Sequence, residues 1–298
     1  MRFGLFGTGP WAHMVHSEAL ARHPGAELAG VWGRNPAKAQ ELAAKHGSRA
    51  YDDVDALIAD VDAVAIALPP DVQAPIALRA AHAGRHLILD KPVSLRTAEA
   101  SALASAVAAG DLASVVFFTR RFVPETERFL AEAVAAGGWT EARVDHLGSI
   151  FTPDNPFGAS PWRRERGGLW DVGPHALSLV LPVLGPVTEV TGLAGERDLT
   201  ALVLRHERGA ISRLTLSVDA PEGAARQSAE FAGEAGVWPV PAVEFDAVEM
   251  FGHAIDQLLA AAAGGPKSAV DVRFGQRVTA VLAAADEAIA QGRTVRIG

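Results

Sequence analysis

The chain has 298 residues, 49% hydrophobic and 21% charged, which suits a soluble globular protein of one large or two ordinary domains rather than a disordered one. Its formal net charge of −8 argues against nucleic acid or an anionic membrane as a partner, while leaving room for a local pocket that takes an anionic ligand. The absence of cysteine removes disulfides, thiolate nucleophiles and cysteine-based zinc sites together. The stretch MRFGLFGTGP runs straight into a strand and a glycine-rich turn, with no signal-peptide pattern. No apolar run reaches membrane-spanning length, so the expectation is a cytoplasmic protein.

In chain order, RFGLF (2–6) reads as a short apolar strand. After GTGPWA, apolar residues at 12, 15, 19 and 20 form a helical stripe. AELAGVW (26–32) is a second strand. Asn35 then caps a helix, Pro36 suits its first position and Gly47 ends it. VDAVAIAL (61–68) is a continuous apolar run, as expected of a strand buried on both faces. A helix over 71–84, with Pro75 in or near its first turn, leads to a strand at 86–90. A helix closed by Gly110, a strand at 114–119 and a helix at 124–136 follow. This alternation predicts a doubly wound parallel sheet.

The second half differs. Residues 144–151, 201–206 and 210–218 read as strands, the last two joined through ERG as a hairpin. Leu214, Leu216 and Val218 share one face opposite Arg213, Thr215 and Ser217. Two amphipathic helices close the chain. The division expected is 1–119 and 120–298.

Gly7, Gly9 and Ala12 form G-x-G-x-x-A between a strand and a helix. The first glycine permits a tight turn, the second lets backbone amides approach a pyrophosphate, and the small third residue lets helix and strand pack. The helix N-terminus then faces the phosphates. At the tip of the second strand, NAD sites usually carry an acid that holds both ribose hydroxyls. Here Gly33 stands in that place, followed by Arg34 and Asn35. Glycine makes room for a 2′-phosphate and a guanidinium pairs with it, so NADP is expected in preference to NAD. Trp11, after the turn, either lines the cofactor or packs in the core.

Four stretches carry a resemblance: GLFGTGPWA; IALPPDVQA with GRHLILDKP; FTRRFVP; and SPWRRERGGLWDVGPHALSL. In this order they resemble the glucose–fructose oxidoreductase/inositol dehydrogenase family, Gfo/Idh/MocA. The resemblance implies an N-terminal Rossmann domain and a C-terminal α/β domain on an open, mainly antiparallel sheet, which binds substrate and supports oligomerisation. It implies that Pro10, Leu68, Pro69, Asp90 and Thr119 join the glycine turn in the cofactor site. Lys91 would stand by the nicotinamide and the substrate oxygen, with Asp171 and His175 facing it from the second domain. The peptide before Pro92 is expected to be cis. Asp90 stands where the family usually has Glu, and Ser178 where many members have another acid, which is expected to alter substrate contacts.

Within RGGLWDVGPHALSL (166–179), Gly173 and Pro174 predict a break, with Asp171 just before a helix and His175 in its first turn. A positive helix end there would favour an ionised Asp171 and a neutral His175, the form a general base needs. In the scheme that follows, His175 takes the substrate's hydroxyl proton, Lys91 stabilises the developing alkoxide, and Asp171 orients His175 or a substrate hydroxyl. Trp162, Arg163 and Arg164 either reach a polyhydroxylated or anionic ligand or form a solvated loop. His13 and His16 read as surface or packing residues, and no metal is expected. The reading is an oxidoreductase of sugars or polyols. The alternatives are a dehydrogenase of cyclic diols or other small carbonyl compounds, and a non-catalytic dinucleotide-binding regulator. A homo-oligomer, dimer or tetramer, is expected from the open sheet face.

Overall fold

The computed structural model describes all of residues 1–298. Strands β1 (Arg2–Phe6), β2 (Glu27–Trp32), β3 (Arg49–Tyr51), β4 (Ala63–Ile66), β5 (His86–Asp90) and β6 (Ser114–Phe117) form one parallel sheet in the order β3-β2-β1-β4-β5-β6. All four residues of β4 are fully buried, as a strand covered on both faces requires. The connections carry helices α1 (Ser17–Arg22), α2 (Pro36–Lys45), α3 (Val54–Ala59), α4 (Pro70–His82) and α5 (Thr97–Ala109). Asn35 caps α2, its side chain accepting from the amides of Ala37 and Lys38. Pro75 lies beyond the first turn of α4, because that helix opens earlier, at Pro70. β3 and α3 have no counterpart in the sequence pattern.

The helix after the glycine turn departs from regular α geometry. Ala12–His16 is a π-helical turn, and the wider turn places Val15, His16 and Ser17, three consecutive residues, in the interior.

The second unit contains α6 (Pro124–Ala136), β7 (Trp139–Leu147), α7 (Pro161–Arg166), α8 (Gly173–Leu184), β8 (Val187–Ala194), β9 (Thr200–His206), β10 (Ile211–Ser217), β11 (Arg226–Gly233) and β12 (Gly236–Pro239). After them come α9 (Ala247–Ala262), α10 (Val272–Gln291) and β13 (Val295–Arg296). The second sheet runs β12-β11-β7-β10-β9-β8-β13. The β9–β10 hairpin forms as expected, and the sheet is antiparallel except where β10 lies parallel to β7. β7 starts five residues before the expected 144, because the alternation of WTEARVDHL is masked by its charged outer face.

The packing divides the chain into residues 1–122 with 245–276, and 123–244 with 277–298. A contiguous cut at 119/120 therefore differs from the compact units. α9 packs on β5, β6 and the helix that follows the glycine turn, and so belongs to the first unit. An amphipathic stripe announces a buried face without naming its partner. No helix is long and apolar enough to cross a membrane.

Candidate active site

The first unit gathers one set of residues at the carboxyl ends of its strands. Strand order reverses between β1 and β4, the switch point where open parallel sheets bind ligands. Gly7, just past β1, has φ +133°, and a Cβ on it would lie 2.4 Å from the carbonyl oxygen of Ala67. Its amide donates to the carbonyl of Trp32 at 2.8 Å. A Cβ on Gly9, by contrast, would meet nothing within 4 Å, so the turn is closed at its base and open at its crest. The backbone there has free space where a pyrophosphate would approach, and the residues present fit a dinucleotide. Pro10 is exposed, Ala12 is fully buried against the sheet, and Trp11 is half-buried with its ring 6.4 Å from that of Phe117.

Leu68 and Pro69 follow β4, half-buried; Gly33, Arg34 and Asn35 follow β2; Thr119 follows β6 and is 7% exposed. Gly33 has a steric role as well, since a Cβ there would meet the side chain of Thr8. Asp90 ends β5, and the Lys91–Pro92 peptide is cis. The Asp90 carboxylate accepts from the Lys91 amide at 3.1 Å.

Gln73, which is fully buried on α4, organises this turn. Its Nε2 donates to the carbonyls of Asp90 at 2.8 Å and Pro92 at 3.1 Å, and its Oε1 accepts from the Asp90 amide at 2.8 Å. Sequence reasoning missed Gln73, because a glutamine within a helical stripe gives no sign of a loop 17 residues away. His16, expected at the surface or in packing, lies buried beneath the same turn. Its ring is 0% exposed, 4.1 Å from the Phe251 ring of α9 and edge-on to Phe117. Asp90 Oδ2 is 3.7 Å from His16 Nε2, close enough for an ion pair with a charged ring. Complete burial decides otherwise, pushing the His16 pKa down to about 3, so the ring is neutral near pH 7 and neither nitrogen has a hydrogen-bond partner.

In the second unit the expected break at Gly173–Pro174 is absent. Helical backbone is continuous through 167–184, with Gly167–Val172 forming a second π-helical turn and Gly173 in ordinary helical dihedrals. Asp171 and His175 thus sit on one continuous run, with no free helix N-terminus at Pro174 to bias their charges. The wider turn accommodates the proline, whose missing amide falls at the π-to-α junction. The glycines are required by packing: a Cβ on Gly167 would lie 2.3 Å from Val218 Cγ2, and one on Gly168 would lie 2.3 Å from the Asp198 carbonyl oxygen.

Asp171 is 7% exposed and accepts from Arg163 Nε at 2.8 Å. The Arg163 guanidinium also sits 5.1 Å from the Trp162 ring and 5.5 Å from Phe157, while Arg164 lies 4.3 Å over Phe151. These arginines are packed against aromatic rings rather than forming a freely solvated loop. His175 is half-buried, its ring stacked on His146 of β7 with centroids 5.6 Å apart and planes 28° apart. Gln227, opposite on β11, has Nε2 3.1 Å from His146 Nε2. His146 also escaped sequence reasoning, since strand pairing creates its proximity to His175. Ser178 is fully buried and donates to the His175 carbonyl at 2.7 Å.

A six-stranded parallel sheet with a glycine turn at its switch point defines a Rossmann-type unit. The chain belongs to the Gfo/Idh/MocA family: residues 1–117 match the oxidoreductase family's NAD-binding Rossmann fold, and residues 128–238 match its C-terminal domain. It is 30% identical to the D-xylose 1-dehydrogenase (NADP(+)) 2 of Haloferax volcanii, over 74% of this chain and 71% of that protein. It is 34% identical to the UDP-N-acetylglucosamine 3-dehydrogenase of Acidithiobacillus ferrooxidans, over 48% of this chain and 44% of that one. The chain spans about half the length of the latter and of an uncharacterised Synechocystis oxidoreductase. The structure of GenD2 from gentamicin A biosynthesis, in complex with NAD, has the same fold, with a TM-score of 0.88 over 100% of this chain and 96% of that one at 23% identity.

Proposed function

We propose that the chain is an NAD(P)-dependent dehydrogenase or reductase, acting on the secondary alcohol or carbonyl of a sugar, polyol or related small molecule. The observation that carries this reading is the carboxyl edge of the first sheet. There the open crest of the glycine turn, after β1, and the Gln73-clamped Asp90–Lys91–Pro92 turn, after β5, flank the switch point between β1 and β4. The dehydrogenase names and sugar substrates of the relatives support the class.

The bound dinucleotide supplies the hydride acceptor or donor. Gly7, Gly9, Pro10, Trp11 and Ala12, with Leu68, Pro69 and Thr119, hold it. Gly33, Arg34 and Asn35 favour NADP over NAD. Arg34 is exposed and makes no ion pair, which leaves its charge available for a 2′-phosphate. Lys91 provides the positive charge that stabilises a developing alkoxide, and His175 takes the hydroxyl proton in oxidation and returns it in reduction. Asp171 is held by Arg163 and so presents a fixed carboxylate beside His175 on the same helical run. Stacking on His146 sets the plane of the His175 ring.

The outer face of the second sheet supports self-association. It exposes Val203 at 46% and Leu193 at 72%, beside an ion-pair ladder linking Glu141 to Arg143 and Arg213. We read it as the contact for a second copy, with light scattering of the purified protein as its check.

The activity is tested by following nicotinamide absorbance with a panel of aldoses, inositols and nucleotide sugars. Turnover of at least one polyhydroxylated substrate supports the reading. Tight dinucleotide binding with no turnover across sugars, cyclic diols and small carbonyl compounds would favour a regulator instead.

A further inference from the structure

We propose that Thr8 is a cofactor-specificity residue, which acts by excluding every side chain from position 33. The inference rests on the NADP reading above and adds a residue to it.

Gly33 is buried at the tip of β2, where an acid would hold the adenosine ribose hydroxyls and repel a 2′-phosphate. Its backbone is not left-handed, so conformation alone does not demand glycine there. Space does. A Cβ on Gly33 would stand 2.6 Å from Thr8 Cγ2, 2.8 Å from Thr8 Oγ1 and 3.3 Å from Thr8 Cβ. All three nearest atoms belong to this one residue. Threonine is branched at Cβ, so rotation about χ1 mostly exchanges one heavy atom for the other.

Thr8 cannot easily retreat either. It follows Gly7, whose amide is bonded to Trp32 and whose Cβ position is closed off by the Ala67 carbonyl. Pushing Thr8 aside therefore disturbs the turn that would receive the pyrophosphate. An aspartate at 33 is admissible only when residue 8 is smaller. Thr8 and Gly33 are thus a matched pair: the turn that binds phosphate also keeps the acid out of the ribose site. Arg34 and Lys38, both exposed and without ion pairs, remain as the cations flanking the space left open.

The test is a double-mutant cycle of wild type, Thr8→Ala, Gly33→Asp and the double variant, each titrated with NADH and with NADPH by tryptophan-to-nicotinamide energy transfer. Gly33→Asp alone should weaken NADH binding. In the Thr8→Ala background, the same change should tighten NADH by about tenfold and remove any NADPH preference. Equal effects of Gly33→Asp on NADH in the two backgrounds would overturn the proposal. Should the aspartate prevent folding, Gly33→Ala replaces it with melting temperature as readout. A drop confined to the Thr8 background supports the pairing, and an equal drop in both refutes it. Wild type binding NADH as tightly as NADPH would remove the NADP reading, while the coupling between positions 8 and 33 would still be read from NADH alone.

Discussion

Both helical runs that carry candidate site residues are widened by a π-helical turn, one in each compact unit, and the two turns solve different problems. In the first unit the turn is built from side chains that fill space. It rotates His16 inward until its ring lies on Phe251 under Asp90. In the second unit the turn is built from glycines because space is already full. Gly167 and Gly168 press against Val218 and Asp198, and the run delivers Asp171 and His175 without a break. The acids contrast in the same way. Asp171 meets the permanent charge of Arg163, whereas Asp90 faces an imidazole that burial keeps neutral. Similar backbone geometry therefore sets one carboxylate against a permanent charge and the other beside a neutral ring.

The largest expected effect separates chemistry from scaffold. His175→Asn should slow turnover by on the order of 10²-fold or more while leaving dinucleotide affinity as it is. Wild-type turnover would remove His175 from the mechanism. A pair of glycine substitutions comes next. Gly168→Ala drives a methyl against backbone and should cost about 3 kcal/mol of stability, read by denaturant unfolding. Gly9→Ala meets open space and should leave stability within about 0.5 kcal/mol while weakening dinucleotide binding. Similar destabilisation by both would contradict the distinction between a packed turn and an open one.

The last effect is electrostatic and depends on pH. The pKa of His16 is lowered from 6.5 to about 3 by burial, so below pH 6.5 the unfolded chain takes up a proton that the folded one refuses. Its contribution is complete above that pH, and stability is lost as pH falls toward 3, by up to about 1.4 kcal/mol per pH unit. His16→Phe removes this dependence, so its melting temperature relative to wild type should rise between pH 7 and pH 4. Parallel curves would show that the folded ring takes up its proton over the same pH range as the unfolded chain.

How much of this was legible in the sequence follows from where each signal is stored. The strands of the first sheet are continuous apolar runs because both their faces are covered, and β1, β4, β5 and β6 are visible for that reason. β8 and β11, with VTEVTGLA and RQSAEFAG, keep one polar face and pass for loops. The glycine turn is a local motif and reads directly. Gln73, His146 and Phe251 are brought to their places by tertiary packing, which no spacing encodes. The break expected at Gly173–Pro174 failed because a π-helical turn absorbs a proline that a regular helix interior would not.

The measurement that bears most directly on the account is a titration of the purified protein with NADPH and NADH, followed by tryptophan quenching and energy transfer to the nicotinamide. Saturable binding is expected, tighter for NADPH. Binding of neither dinucleotide would contradict it, because the carboxyl edge of the first sheet would then be a site without its ligand.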